Sequence, residues 1–254
     1  MKSGAKPAFL EKPVAYYVAG TGAECWKHAD SLATVSTKSQ TFYLDATGGA
    51  ASVYHSGSLL TVQGNATGGT FVSDPNDLTN AEQTGGQPGS DIHGDGLIFH
   101  TDPFKADTEI DGRVDLRLWL AIDVPDTDLS YQLFLVTPDG KTRFLDYGIT
   151  RARYRHSLEH PEPIHVNQPE EYHFANSNWF AMRAQKGSQL RLLVSSINSP
   201  DFEKNWNSMK PVAEQTGADS QVGHIKLLQT PDHPSTLTVP LGDPAAACKA
   251  SADW

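Results

Sequence analysis

One segment, Gly112–Arg155, constrains the fold of this chain more than any other. Within it Val114, Leu116, Leu118 and Leu120 alternate with Asp115, Arg117, Trp119 and Ala121. A period of two sends successive side chains to opposite faces of a strand, so one face must meet a core. Pro125 and the Asp126-Thr127-Asp128 cluster end that strand, and Tyr131–Val136 form a second, more uniformly apolar run. Pro138-Asp139-Gly140 predicts a turn, because proline presets φ at its second position and glycine accepts the conformation that closes it. Phe144, Leu145 and Ile149–Tyr154 continue the same idiom. The segment predicts antiparallel β-structure with two buried layers.

Further short strands are expected at Val14–Val18, Thr41–Leu44, Leu97–His100, Glu171–Phe174, Trp179–Arg183, Gln189–Ser195, His224–Leu228 and Thr236–Val239. Trp26–Asp30 is read as one helical turn. The Gly-, Ala-, Ser- and Thr-rich stretch Ala46–Thr70 is read as loops around one edge strand at Leu59, Leu60 and Val62. Asp74-Pro75-Asn76-Asp77 predicts an Asx turn, in which the aspartate side chain accepts from a backbone amide two residues on. The polar segment Thr79–Gly96 is a long glycine-rich loop of the kind that is usually functional or disordered. Short strands, 21 glycines, 16 prolines and almost no helical pattern predict an all-β sandwich or jelly roll. Its limits are read as a lead-in at 1–13, one domain at 14–241 and a tail of uncertain order at 242–254.

A formal net charge of -10 argues against a nucleic-acid surface, which needs a basic face for phosphate contacts. No run approaches the roughly 18 apolar residues of a membrane span. The opening Met1-Lys2-Ser3-Gly4-Ala5-Lys6-Pro7 lacks the apolar core of a signal peptide and reads like the interior of a longer protein restarted at a methionine. Cys25 and Cys248 are too few for a disulfide framework or a zinc site, and the reading favoured is two unrelated free thiols, a single staple being the alternative.

No catalytic machinery is visible. The serine-hydrolase elbow Gly-x-Ser-x-Gly does not occur, and Gly57-Ser58 and Gly187-Ser188 lack the flanking glycine and a following helix. Gly94-Asp95-Gly96 has no lysine and no helix to make a phosphate loop. Asp123, Asp126 and Asp128 could offer oxygens to calcium. The reading preferred for them is a polar turn that caps amides or pairs with arginines. Arg151, Arg153 and Arg155 alternate, which on a strand would point all three one way, and Asp126 and Asp128 are their expected structural partners. His156, His160 and His165 share one connection, but Pro161 and Pro163 intervene and no helix aligns them for zinc. Trp206, between Asn205 and Asn207, is the best single sugar-stacking candidate, against a role as a packing plug. No cofactor is implied.

The order and spacing of several motifs carry a resemblance. They are Val14-Ala15-Tyr16-Tyr17-Val18-Ala19-Gly20, Phe42-Tyr43-Leu44, Asp74-Pro75 followed by Gly85-Gly86, Asp126-Thr127-Asp128, and Pro138-Asp139-Gly140. Gly148-Ile149 with Arg151-Ala152-Arg153-Tyr154-Arg155, Ser195-Ser196 with Phe202, and Pro234-Ser235 complete the set. From about Val14 to Val239 the chain resembles the C-terminal domain of the X-prolyl dipeptidyl-peptidase, cocaine-esterase and glutaryl-7-aminocephalosporanic-acid acylase family. That resemblance implies a non-catalytic jelly-roll β-sandwich of the galactose-binding-domain-like architecture. It also implies that the catalytic serine, aspartate and histidine belong to a separate α/β-hydrolase domain against which this one packs, lending a wall to the active-site pocket. By position that wall would fall on the loop after Gly85-Gly86, Gln87–Gly94, with Thr84, Gly85, Gly86, Asp91 and His93 as the candidate docking or wall residues.

A face built for such packing would be left as an exposed apolar patch, for which Trp26, Phe202, Trp206 and the loop from Thr84 are the candidates. Such a face could also support a homo-oligomer. The function expected is that of an accessory domain of a serine hydrolase, with a free-standing carbohydrate-binding module as the alternative. A complete enzyme with an unrecognised site is the third reading. Neither nucleic acid nor membrane is among the expected partners.

Overall fold

A computed structural model describes residues 11–20, 24–63, 68–77, 95–175, 177–197 and 202–249. Fifteen strands are present among them: β1 (Val14–Gly20), β2 (Cys25–Ala29), β3 (Lys38–Asp45), β4 (Gly57–Leu60), β5 (Thr70–Ser73), β6 (Gly96–Thr101), β7 (Thr108–Gly112), β8 (Asp115–Ile122), β9 (Asp128–Val136), β10 (Thr142–Arg151), β11 (Glu170–Phe174), β12 (Phe180–Ala184), β13 (Gln189–Ser196), β14 (Gly223–Leu228) and β15 (Thr236–Leu241). Short 3-10 turns are the only helical elements among the described residues.

The fold is an all-β sandwich of mixed sheet topology. One path of paired strands runs β10-β9-β13-β6-β4-β3-β15-β7-β12-β1-β2, and β11, β8, β14 and β5 form a second group joined to it where β8 pairs with β15. Most pairings are antiparallel; β4 with β6 and β1 with β12 are parallel. The alternation of β8 is realised as its sequence requires. Leu116, Leu118 and Leu120 are fully buried, while Asp115, Arg117, Trp119 and Ala121 are half-exposed. The buried set packs into one core with Leu129, Tyr131, Leu133 and Leu135 of β9 and Leu190, Leu192 and Val194 of β13. β13 alternates poorly in sequence because it lies between β9 and β6 and is buried on both faces, Arg191 and Leu193 included.

Several local expectations are corrected. Trp26–Asp30 is not a helical turn: Cys25–Ala29 is a strand, in register with β1 from Val18↔Cys25 to Val14↔Ala29. Its buried face carries Cys25, Lys27 and Ala29, so a lysine interrupts the apolar signal that would mark a strand. The strand inside the Ala46–Thr70 stretch is β4, and it is interior, lying between β3 and β6. Gly57 begins it because the Phe99 ring lies where a side chain would go: a Cβ there would sit 2.6 Å from Phe99 Cδ1. The strand expected over Ile149–Tyr154 stops at Arg151, and Ala152–Tyr154 form a 3-10 turn. The Asx turn does form, with the Asn76 amide donating to Asp74 Oδ1 at 2.9 Å.

The two cysteines are not free thiols. Cys25 and Cys248 form a disulfide across a sequence separation of 223, with Cα atoms 5.5 Å apart. Beside it Trp26 and Lys249 exchange backbone hydrogen bonds at 2.8 and 3.0 Å. The described part of the C-terminal tail is therefore tied to β2, not left loose. No helix among the described residues is long and apolar enough to cross a membrane, which says nothing of β-barrels.

Candidate functional site

Three features of the surface and near-surface structure bear on function: a charged knot beneath one loop, a second buried charge cluster near the disulfide, and an exposed apolar edge. The knot contains the four residues singled out as ion-pairing. Arg151, the last residue of β10, meets Asp128 at the start of β9 in a two-pronged contact, Nε to Oδ1 at 2.7 Å and Nη2 to Oδ2 at 3.0 Å. Arg153, in the 3-10 turn, donates from Nε to Asp126 Oδ2 at 2.7 Å and from its backbone amide to Asp126 Oδ1 at 2.9 Å. Its remaining donors reach the carbonyls of Ser208, Met209 and Lys210. Asn205 bridges the two carboxylates, at 3.0 Å from Asp126 and 2.9 Å from Asp128. Burial pushes the Asp126 carboxyl up, against the opposing pull of Arg153 and Asn205. The knot fastens the loop around residues 202–210 onto the sheet edge.

The three arginines do not share one strand face, because β10 ends at the first of them. Arg155 turns instead to Glu170, at 2.9 Å, and to the carbonyls of Glu162 and Pro163. The aspartates are engaged: Asp126 and Asp128 hold arginines, and Asp123 accepts from the His224 amide and faces its Nδ1 at 2.8 Å. His156, His160 and His165 are exposed, and His165 contacts Glu170 at 2.8 Å. Among the described residues no group of three His, Cys, Asp or Glu side chains is placed to hold a metal ion.

The second cluster lies under the C-terminal segment. Lys27 Nζ donates to Glu109 Oε1 at 2.5 Å and to the Asp243 carbonyl at 2.6 Å. Arg183 donates to Glu109 Oε2 at 3.0 Å and to the Pro244 carbonyl at 2.9 Å. Asp111 is fully buried beside them, and neither of its carboxylate oxygens accepts a hydrogen bond. Burial first, then hydrogen bonding to and repulsion from Glu109, push its carboxyl up to about 8, against the pull of Lys27 and Arg183.

The aromatic candidates are dispersed. Trp26, half-buried on β2, makes an edge contact with Tyr17 at 5.4 Å between ring centroids. Trp206 is half-buried over Gly217, with Lys204 Nζ 5.5 Å from its ring centre. Phe202 is exposed. Thr84, Gly85, Gly86, Asp91 and His93 lie outside the described residues.

Sequence reasoning missed a more continuous patch on β10, which among the described residues pairs with β9 alone and so forms a sheet edge. Phe144, Tyr147 and Ile149 project from it, 54%, 49% and 41% exposed, which makes a hydrophobic edge of a kind that folded proteins normally cover. Ile149 shares a shallow cleft with Leu158, itself exposed. At the far end of the strand Arg151 reaches Glu203, next to Phe202, at 3.3 Å. The patch was hidden because an apolar strand residue reads as core whichever way it points. The irregularity between Phe144 and Asp146 shifts the register and places Phe144 and Tyr147, three apart, on one face.

Comparison with known proteins gives a consistent picture. Residues 8–238 match the family described as the X-Pro dipeptidyl-peptidase C-terminal non-catalytic domain. The chain is 28% identical over 235 residues to a cocaine esterase of Rhodococcus sp. (strain MB1 Bresler), covering 87% of this chain and 40% of that protein. Among solved structures it is similar to an alpha-amino acid ester hydrolase, with a TM-score of 0.73 at 22% identity over 89% of this chain and 40% of the other. An aminopeptidase from a marine sediment Thaumarchaeota archaeon gives a TM-score of 0.73 at 18% identity, with 89% and 40% covered. A CocE/NonD family hydrolase from Staphylococcus aureus gives 0.59 at 15% identity, with 91% and 41% covered. The structural likenesses show the fold, and the chain spans about 40% of the length of each of the first two.

Proposed function

Since the chain belongs to the family of X-Pro dipeptidyl-peptidase C-terminal non-catalytic domains, we propose that it serves as the accessory domain of a serine hydrolase acting on acyl bonds. In this reading it packs on an α/β-hydrolase domain and shapes access to that domain's active site. The observation that carries the proposal is the extent of the family match, which takes in nearly the whole described sandwich, residues 8–238. The sandwich is read further as a jelly roll of the galactose-binding-like type, with residues 14–241 as the folded unit, 1–13 as a lead-in and 242–254 as a tail. The absence of the nucleophile-elbow pentapeptide from the sequence is consistent with a catalytic serine elsewhere.

The test is hydrolysis of p-nitrophenyl esters and an X-Pro anilide by the isolated chain, with an active-serine probe alongside. The expected outcome is neither turnover nor labelling. Turnover that persists through repurification would place a catalytic centre in this chain and end the accessory-domain reading.

The docking face is read as the β10 stripe of Phe144, Tyr147 and Ile149 together with Phe202, with Trp26, Trp206 and the loop from Thr84 as the other candidates. An uncovered stripe of this kind also offers a route to homo-oligomers. The isolated chain is accordingly expected to self-associate as its concentration rises, and Tyr147→Lys combined with Ile149→Lys is expected to abolish this without moving the thermal midpoint. Sedimentation velocity across a hundredfold concentration range checks it; a wild type that stays monomeric throughout would remove the stripe as a sticky face. The acidic net charge favours neither nucleic acid nor anionic membrane as a partner.

A further inference from the structure

At one end of the sandwich the core opens to solvent. Phe42 on β3, Leu59 on β4, Ile110 on β7, and Val239 and Leu241 on β15 surround a cavity of about 560 Å³, with Phe104 from the β6–β7 connection also lining it. Phe42, Leu59, Ile110 and Val239 are core residues, none more than 5% exposed. The walls therefore belong to the rigid sheet, and the cavity is preformed. Its volume falls within the range of roughly 300–1,000 Å³ typical of small-molecule sites, which are mostly apolar with a few polar groups.

An apolar void is a cost to stability that grows with its volume, and a loose rim would collapse to fill it. Here the rim is held in place. The Phe104 amide donates to the Ser188 carbonyl and the Gly187 amide to the Phe104 carbonyl, each at 2.8 Å. The Lys186 amide donates to Asp107 Oδ1, also at 2.8 Å. Gln189 Nε2 donates to the Thr101 carbonyl at 2.7 Å, fixing the start of the connection. Two charged side chains, Asp102 and Lys105, sit exposed on this rim. Neither takes part in an ion pair among the described residues.

We propose that this cavity is a binding site for the aryl or branched-alkyl body of a small amphipathic molecule, whose polar head lies at the rim by Lys105 and Asp102. The site lies apart from the β10 stripe, on other strands, and does not depend on the docking proposed for it. Apolar contact supplies the affinity, and the rim charges select the head group.

The probe is N-phenyl-1-naphthylamine, an uncharged aryl fluorophore, titrated into the intact chain, with its sulfonated relative 8-anilino-1-naphthalenesulfonate compared in parallel. Saturable binding at one site per chain is expected. Thr108→Trp, which fills the cavity from a half-buried wall position, is expected to weaken both probes at least tenfold with the thermal midpoint retained. Should that variant fail to fold, Val62→Asp at the exposed mouth is expected to weaken the neutral probe. Lys105→Ala is expected to weaken the sulfonate several-fold and leave the neutral probe unchanged. Absence of saturable binding would overturn the proposal. So would unchanged affinity in the filled variant, or loss of binding on changing Tyr147 and Ile149 instead, which would put the probe on the sheet edge.

Discussion

Arg153→Ala is expected to lower the free energy of unfolding by about 3–5 kcal/mol, the range for breaking a buried ion pair by removing one partner. The Arg153 side chain is 6% exposed and holds Asp126 together with the carbonyls of Ser208, Met209 and Lys210. Removing it leaves a fully buried carboxylate that burial already disfavours and takes a donor from three carbonyls of the loop that carries Trp206, of which those of Ser208 and Lys210 keep Gln215 Nε2. Arg117→Ala is the control. Its pairs with Asp115 and Glu171 are close to half-exposed on both sides, and losing such a surface cation should cost about 1 kcal/mol or less. Arg153→Lys should recover only part of the loss, because an ammonium cannot reproduce the planar fork. Urea denaturation followed by circular dichroism measures all three. A loss below that of Arg117→Ala would mean that the knot is not what fastens the loop.

The second large effect is on pH dependence. Asp111 titrates near the usual carboxylate range when unfolded but is pushed up to about 8 in the folded chain. Below pH 4 both forms hold the proton, and the contribution of this group to stability is fully present. As the pH rises from about 4 to 8 the unfolded chain gives up the proton while the folded chain keeps it, so stability falls. Above 8 both forms are ionised and the loss is complete. While the proton is in place Asp111 can donate to Glu109, which explains how oxygens that accept no hydrogen bond are tolerated in the core. Asparagine keeps the shape and the donor and does not titrate. Asp111→Asn should therefore gain on the wild type steadily between pH 5 and 8 and hold a constant lead above that. Thermal midpoints of both proteins across this range are the measurement. A constant difference at every pH would show that Asp111 is ionised in the fold.

The reasons why parts of this structure were legible follow from these same residues. β8 could be read because it buries one face only, so hydrophobicity tracks geometry residue by residue. β2 and β7 resist the same reading. Their inward residues include Lys27, Glu109 and Asp111, which resemble surface residues until partners 82 positions away in sequence are known. The Asp126–Arg153 and Asp128–Arg151 contacts follow from the need of clustered charges for opposite charges, even though the backbone under Arg153 is a 3-10 turn where a strand was expected. The disulfide had no local signal, since two cysteines so far apart carry no spacing information. The β10 stripe was missed because alternation reveals that a strand has two faces and not which of them is covered.

The bond between Cys25 and Cys248 also governs how the domain would bear load. Tension applied between the segment ahead of β1 and the segment beyond Lys249 would pass through the β1–β2 hairpin and across the sulfur bridge, bypassing the other thirteen strands. The bridge withholds the chain between the two cysteines, a sequence separation of 223 and about 750 Å when extended, from extension. Pulled by its ends, the oxidised sandwich would behave as a short inextensible link, and only a reducing environment would let it pay out as a spring.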